Sequence, residues 1–338
     1  MKAIQVVKPR DVRWVDLPMP EITEANQVRV KVKAAGVCGS DIHIAHGTNV
    51  FATYPRIIGH EVSGEVESIG SAVEGLAVGD LVVLEPIAYC GECYACKNGR
   101  PNVCQNLQVY GVHRDGGFCQ YIVVPASRLY KVPSAFSARQ AAAIEPFTIG
   151  AQCAWRGGVK AGDTVLVTGA GPMGLIAVDT CKALGATVIV AELNDYRLEM
   201  AKAFGADFTI NPSAANLRDE LMNITSGEGP NVILEATGVP ELISSAIELV
   251  SVAGRVVPLG FGREPVPIDF AMVTKKEVGI FGSRLQTYKF EPVIKRLANN
   301  LGRIDMLINK VYPAKDYAQA FEDFTAQDSK VCKAILEF

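Results

Sequence analysis

The stretch from Thr164 to Glu192 constrains the fold of this chain more than any other. Thr164–Thr168 (TVLVT) is a continuous apolar run, the pattern of a strand buried on both faces of a parallel sheet. Gly169-Ala170-Gly171-Pro172-Met173-Gly174 follows at once, then a helix-like stretch to Leu184, then a second run, Thr187–Ala191 (TVIVA). Glu192 stands 18 residues after Gly174. Alone, a G-x-G-x-x-G is a weak signal in a chain with 31 glycines. Between two buried-strand runs and at the mouth of a helix it is a dinucleotide-binding fingerprint. Gly169 makes the tight turn, Gly171 lets a pyrophosphate approach the helix N-terminus, and Gly174 lets the helix pack on the strand. A carboxylate at Glu192 suits free ribose hydroxyls and repels a 2′-phosphate, so NAD is expected rather than NADP. The rival reading of Glu192 is an unliganded surface carboxylate. Arg197 complicates the NAD reading, since a nearby Arg can accommodate a 2′-phosphate, but its offset of five residues is more compatible with packing beside the adenine.

The same rhythm continues. Helix-like Tyr196–Phe204, strand Phe208–Ile210, helix-like Ala214–Thr225, strand Val232–Ala236, helix-like Glu241–Val250, and strands Arg255–Leu259 and Val278–Gly282 alternate. This predicts a doubly wound parallel sheet over residues 149–284. Residues 1–148 read differently. Short β-rich runs (Gln27–Val32, Val62–Ile69, Asp80–Leu84, Gln120–Val124) are punctuated by Gly, Pro, Asn and Asp, as in a small β-barrel or sandwich. Phe290–Asn299 and Ala314–Thr325 read as helices, and the chain ends in a strand-like KAILEF. This tail, 285–338, is expected to complete the first domain. A length of 338 residues fits two domains.

Cysteine and histidine are distributed unevenly. Six of nine cysteines lie before residue 120, and all four histidines lie between His43 and His113. The N-terminal MKAIQVVKPRDVRW has no export-signal pattern, so the expected compartment is the cytoplasm, and an odd cysteine count there argues against a disulfide framework. Cys90, Cys93, Cys96 and Cys104 fall within fifteen residues, among turn formers that bury little apolar surface. Four thiolates suit a closed, tetrahedral structural zinc. An iron–sulfur cluster is the rival, but its usual spacings place the fourth cysteine elsewhere; free thiols are the third reading. Cys119, Cys153, Cys181 and Cys332 have no ligand spacing and are expected as small buried hydrophobes.

Cys38-Gly39-Ser40-Asp41-Ile42-His43 and Gly59-His60-Glu61 supply a thiolate, an imidazole and a carboxylate, the composition of a catalytic zinc site with an exchangeable position. Taken singly, each has a bland reading as a core residue. His60 and Glu61 are adjacent, so a regular strand would point them apart. Gly59 permits a kink that brings both to one metal; otherwise Glu61 stands behind the ligands. Glu145-Pro146, at the expected domain junction, is a further candidate.

Together these residues resemble the zinc-dependent medium-chain dehydrogenase/reductase family, along the whole chain and in order: a GroES-like β domain with Cys38, the GHE at 59–61, the four-cysteine lobe, and GAGPMG in a Rossmann domain. Cys38, Glu61 and Glu145-Pro146 resemble its sorbitol, threonine and sugar-acid branch. GVHRDGGF (111–118) and GSRL (282–285) resemble a bacterial starvation-sensing, hexonate 5-dehydrogenase subgroup. The resemblance implies two zinc ions per chain, NAD, and a dimer or tetramer. It implies Cys38 and His60 as catalytic-zinc ligands, Glu61 and Glu145 as direct or exchanging ligands, and Ser40 and His43 as a proton relay. Asp41 fits as a partner that fixes neighbouring groups. Gly169, Gly171, Pro172, Met173, Gly174, Glu192 and Arg197 match the cofactor loop and its surroundings, although Asp is usual where Glu192 stands.

The expected activity is oxidation of a secondary alcohol on a polyhydroxylated substrate, a hexonate such as L-gulonate or L-galactonate at C5. Sorbitol and L-threonine are the alternatives within the family. Arg284, after the last Rossmann strand, is proposed as an anchor for substrate or cofactor, with His113 and Arg114 as further pocket candidates. The non-enzymatic alternative is a zinc-stabilised NAD-sensing regulator. Against nucleic-acid binding stand a net charge of -3 and only two cations, Lys97 and Arg100, in the cysteine lobe. No apolar run is long enough to span a bilayer.

Overall fold

The structure, a computed structural model, describes residues 1–260, 264–326 and 329–338. It divides into two compact units, Met1–Glu145 with Phe290–Phe338, and Pro146–Lys289. The sequence pattern placed these divisions three residues later and five residues earlier. Along the chain, the first unit opens with strands β1 (Lys2–Lys8), β2 (Asp11–Asp16) and β3 (Gln27–Gly36), helix α1 (Gly39–His46), then β4 (Arg56–Ile57), β5 (Glu61–Ile69) and β6 (Leu81–Leu84). The pair β7 (Ile87–Ala88) and β8 (Gln108–Val109) flanks the short helix α2 (Tyr94–Lys97). β9 (Tyr121–Pro125), β10 (Leu129–Lys131), α3 (Ala138–Ala142) and the start of α4 (Ile144–Arg156) follow.

The second unit holds β11 (Thr164–Thr168), α5 (Pro172–Ala183), β12 (Thr187–Ala191), α6 (Asp195–Ala203), β13 (Phe208–Ile210), α7 (Leu217–Ile224), β14 (Val232–Glu235), α8 (Pro240–Leu249), β15 (Arg255–Pro258), α9 (Phe270–Lys276) and β16 (Gly279–Ile280). Its sheet is parallel, with strand order β13-β12-β11-β14-β15-β16. The order reverses between β11 and β14, and in such sheets the carboxyl ends at the reversal form the ligand crevice. Leu166, Ile189 and Ile233 of the three central strands pack with Leu221, Ala246 and Leu249 from the flanking helices. Each fully buried aliphatic side chain of this kind contributes about 1.5–3 kcal/mol.

The chain then returns to the first unit through α10 (Phe290–Ala298), α11 (Gly302–Leu307), β17 (Ile308–Pro313), α12 (Tyr317–Thr325) and β18 (Lys333–Glu337). In that unit's larger sheet the order is β10-β6-β5-β3-β18-β17, with β9 also on β3. Two registers matter for the site: Gly36 of β3 stands opposite Glu61 of β5 on one side and Ile335 of β18 on the other. Among the described residues, no helix is long and apolar enough to cross a membrane.

Candidate active site

Cys38 ends the turn after β3 and caps α1 in an extended conformation (φ -118°, ψ 153°). Its N–H donates to Asp41 Oδ2 at 2.9 Å, while Asp41 Oδ1 accepts the Gly59 N–H at 3.1 Å. Asp41 is fully buried, so one carboxylate ties together the two turns that carry Cys38 and His60. Gly59 lies at φ +92°, and a Cβ there would meet Phe118 Cδ1 at 2.1 Å. Only glycine fits this position. The 111–118 turn packs on the same point: a Cβ on Gly116 would lie 2.2 Å from the Gly59 carbonyl oxygen, and one on Gly111 2.7 Å from it. The Gly117 N–H donates to that oxygen at 2.9 Å. The resulting kink ends where β5 begins, at Glu61.

The consequence is a cluster. Donor atoms of Cys38, His60 and Glu61 all lie within 4.8 Å of one another. His60 Nδ1 and Glu61 Oε2 are buried without a hydrogen-bond partner in the structure; Asp41 Oδ1 stands 3.6 Å from Nδ1. Buried polar atoms are rarely left unpaired. A thiol, an imidazole and a carboxylate with two orphaned donor atoms fit a divalent zinc ion. Burial opposes charge on His60, but Asp41 and Cys38 outweigh it and hold its pKa well above the usual imidazole value.

Glu61 owes its position to two further residues. Gly36 leaves the room: a Cβ there would lie 2.1 Å from Glu61 Oε2. Lys333 of β18 grips the other oxygen, with Nζ 2.6 Å from Oε1 and also donating to the Val37 carbonyl at 3.2 Å. The side chains of this pair are 4% and 1% exposed. Burial lowers the Lys333 pKa, but Glu61 and then Cys38 reverse the shift and raise it. Glu145, in the first turn of α4, is buried outside the three-residue cluster. Burial pushes its carboxyl up to about 7, with His60 and Lys333 opposing and Glu61 and Asp41 reinforcing the rise. A groove of about 750 Å³ on the same unit, beside Tyr130, Lys131 and Glu291, includes none of these residues.

The four-cysteine lobe is a second cluster. Neighbouring sulfurs stand 3.4 Å (Cys90 to Cys104), 3.5 Å (Cys93 to Cys96) and 3.8 Å (Cys93 to Cys104) apart. Four sulfurs about 2.3 Å from a tetrahedral zinc would stand roughly 3.8 Å apart. The backbone N–H groups of Cys96 and Gln105 pull the Cys93 thiol down to about 6. Cys119, Cys153, Cys181 and Cys332 are all buried.

In the second unit the glycine loop connects β11 to α5. Gly169 turns at φ +86°, and a Cβ on Gly174 would lie 1.9 Å from the Gly169 carbonyl oxygen. Gly171 caps α5 with open space where a Cβ would be, and Pro172 and Met173 form the first helical turn. That space suits a pyrophosphate at the helix N-terminus. Glu192 follows β12 and turns its carboxylate back on the loop. It accepts the Ala170 N–H at 2.8 Å and the N–H groups of Leu193 and Asn194, each at 3.0 Å.

Comparison with known proteins decides the family. Residues 24–134 match the alcohol dehydrogenase GroES-like domain, and residues 172–299 match the zinc-binding dehydrogenases. The starvation-sensing protein RspB of Escherichia coli K12 is 43% identical over 340 residues, covering 100% of this chain and 99% of that one. This chain belongs to the zinc-dependent medium-chain dehydrogenases. It is an oxidoreductase of the alcohol dehydrogenase type, in the polyol branch. The crystal structure of the rspB product of E. coli CFT073, complexed with NADH, matches with a TM-score of 0.94 at 42% identity, covering 100% and 99% of the two chains. L-threonine 3-dehydrogenase of Pyrococcus horikoshii is 39% identical (95% and 94% covered), and L-galactonate-5-dehydrogenase of E. coli K12 is 32% identical (100% and 99%).

The remaining candidate residues of this dehydrogenase are spread over both units. Ser40 lies in the first turn of α1, with its hydroxyl oxygen buried and unpartnered in the structure. His43 is exposed, one turn on. His113 accepts the Val109 N–H at 3.1 Å and stacks at a tilt on Phe51, 5.9 Å between ring centres. Arg114 lies over the Tyr110 ring. Arg197 is half-buried on α6, where its N–H meets the capping Asn194 side chain at 3.3 Å. Arg284 is half-buried in the segment after β16. Lys333 and Gly36 escaped the sequence reading. No motif marks them, because their role exists only once β18 and β5 flank β3.

Proposed function

We propose that this dehydrogenase oxidises a secondary alcohol of a polyhydroxylated substrate with NAD. The observation that carries this reading is the Cys38–His60–Glu61 cluster, half-buried at Cys38 and buried at the other two, with two orphaned donor atoms and the orphaned Ser40 hydroxyl on the adjoining helix turn. Cys38, His60 and Glu61 would hold the catalytic zinc, with Glu145 as a buried carboxylate in their field. The lobe cysteines 90, 93, 96 and 104 would hold the structural one. When bound, zinc supplies the Lewis acidity that lowers the pKa of a substrate hydroxyl, and NAD supplies the hydride acceptor.

The chain's own residues do the rest. Ser40 accepts a proton and His43 leads it outward. Gly171 lets the pyrophosphate close on α5, and Glu192 meets the adenosine ribose while repelling a 2′-phosphate. The NADH complex of the rspB product supports the cofactor choice. Arg284 offers a planar cation to a carboxylate on the substrate, or to the cofactor. The substrate class we favour is a hexonate such as L-galactonate or L-gulonate, supported by the 111–118 and 282–285 motifs and by the L-galactonate-5-dehydrogenase relative. L-threonine is the second reading, favoured by the more similar threonine dehydrogenases.

The test is a panel of L-gulonate, L-galactonate, sorbitol and L-threonine with NAD and with NADP, followed by absorbance of the reduced cofactor. Turnover of a hexonate with NAD, and a several-fold loss of kcat/KM in Arg284→Ala, is expected. Activity on threonine or sorbitol alone would overturn the substrate class. Preference for NADP would overturn the role of Glu192.

A further inference from the structure

Glu235, the last residue of β14, stands at the carboxyl edge of the parallel sheet, yet it is fully buried. A buried carboxylate needs donors close by. Here they are all neutral, and they come from β11 and from the turn that follows β14. The Thr237 N–H donates to Oε1 at 2.7 Å, and the Thr237 hydroxyl donates to the same oxygen. The Gly238 N–H donates to Oε2 at 3.0 Å. The hydroxyl of Thr168, the last residue of β11, reaches Oε1 at 3.4 Å. The Val239 N–H donates in turn to Thr237 Oγ1 at 3.1 Å, which extends the grip to the residue that caps α8. One side chain thus folds the 236–239 turn back over the end of β14. Gly238 supplies the left-handed conformation this needs, at φ +76°.

The folded turn touches two strand ends. A Cβ on Gly169 would lie 2.8 Å from Thr237 Cγ2, and one on Gly260, after β15, would lie 2.2 Å from Gly238 Cα. Gly169 opens the glycine loop after β11, and the sheet order reverses between β11 and β14. The turn is therefore the second lip of the crevice at that reversal, set against the glycine loop. We propose that Glu235 is a positioning residue for NAD: its carboxylate holds the 236–239 turn in place, so that the crevice is formed before the cofactor arrives. Ordering the turn then takes nothing from the binding free energy of the cofactor. This inference rests on the glycine loop as the NAD site.

NADH titrations of the zinc-loaded full chain, followed by nucleotide fluorescence well below the melting temperature, test this. Glu235→Gln keeps the volume and one acceptor oxygen but sets an NH2 group against the Gly238 N–H. A turn held correctly a third to a tenth of the time raises the apparent Kd for NADH by the same factor, roughly three- to ten-fold. A residue serving folded stability alone would lower the melting temperature and leave that Kd unchanged. Should Glu235→Gln fail to fold, Thr237→Val and Thr237→Ser carry the test with Glu235 intact. Val removes the hydroxyl that Glu235 holds and should weaken NADH binding, whereas Ser keeps it and should bind as wild type does. Hydrogen exchange reads the order of events: the 236–239 amides of wild type should be protected without NADH, and those of Glu235→Gln only with it. A wild-type Kd in Glu235→Gln, equal weakening by Val and Ser, or wild-type amides protected only after NADH binds would each overturn the role of Glu235. Absence of NADH binding by wild type would overturn the cofactor site itself, and this inference with it.

Discussion

Replacing Lys333 with methionine is expected to lower the melting temperature of the protein and to weaken its hold on the catalytic zinc. The substitution keeps most of the side-chain volume but removes the ammonium that lies 2.6 Å from Glu61 Oε1. Glu61 is left as an unpaired charge in a site that is 1% exposed. Breaking a buried ion pair from one side costs about 3–5 kcal/mol. For a unit of this size that is a fall of roughly 6–20 °C. A bound zinc ion offsets part of the isolated charge, so the fall should be larger after chelation than before it. Adding Glu61→Gln to Lys333→Met should recover much of the stability while leaving zinc binding poor, because the charge problem is gone but the ligand is not restored. Calorimetry on the single and double variants, with and without chelator, checks this. Equal melting temperatures for wild type and Lys333→Met would show that the pair does not hold Glu61 in place.

Asp41→Ala is expected to weaken the catalytic zinc selectively, leaving the lobe zinc in place. Asp41 accepts from the N–H groups of Cys38 and Gly59, the two turns that present the ligands. Without the carboxylate both N–H groups lose their partner, each at a cost of about 1–3 kcal/mol, and the turns lose their common anchor. Groups that hold ligands from behind typically change metal affinity roughly 10–100-fold. The catalytic zinc should therefore yield to a competing chelator at a correspondingly lower concentration. The lobe zinc should not, because none of its four cysteines bonds to Asp41. Asp41→Asn keeps one acceptor oxygen and should fall between the two. Unchanged competition curves in Asp41→Ala would contradict this role.

Much of the fold is legible in the sequence where local chemistry decides it. Thr164–Thr168 and Thr187–Ala191 read correctly to the residue, because buried parallel strands are apolar runs with sharp ends; the edge strand Phe208–Ile210 also matches to the residue, although Phe208 is exposed. Helix α7 starts at Leu217, three residues after the sequence suggests, because Asn216 caps it, its Oδ1 accepting from the Arg218 and Asp219 N–H groups. The strand expected over Val278–Gly282 is only Gly279–Ile280, and Ala314–Asp316 forms a 3-10 turn before α12. Helix α4 tolerates Pro146 in its first turn, but Ala142 and Ala143 stand before it where a capping Ser, Thr, Asp or Asn would mark a helix start. The strand Ile308–Pro313 alternates weakly and gains its place only by pairing with β18.

The candidate site divides in the same way. Cysteine spacing and the glycine loop announce themselves within short stretches. The partner that holds Glu61 lies 272 residues away in sequence, and only the strand order of the sheet brings the two together.

The central claim is that Cys38, His60 and Glu61 hold one zinc ion and that the four lobe cysteines hold another. Zinc content per chain, measured by mass spectrometry on purified wild type and on Cys38→Ser, tests it most directly. Two equivalents in wild type and one in Cys38→Ser are predicted. One equivalent in wild type, or two retained in Cys38→Ser, would contradict the account.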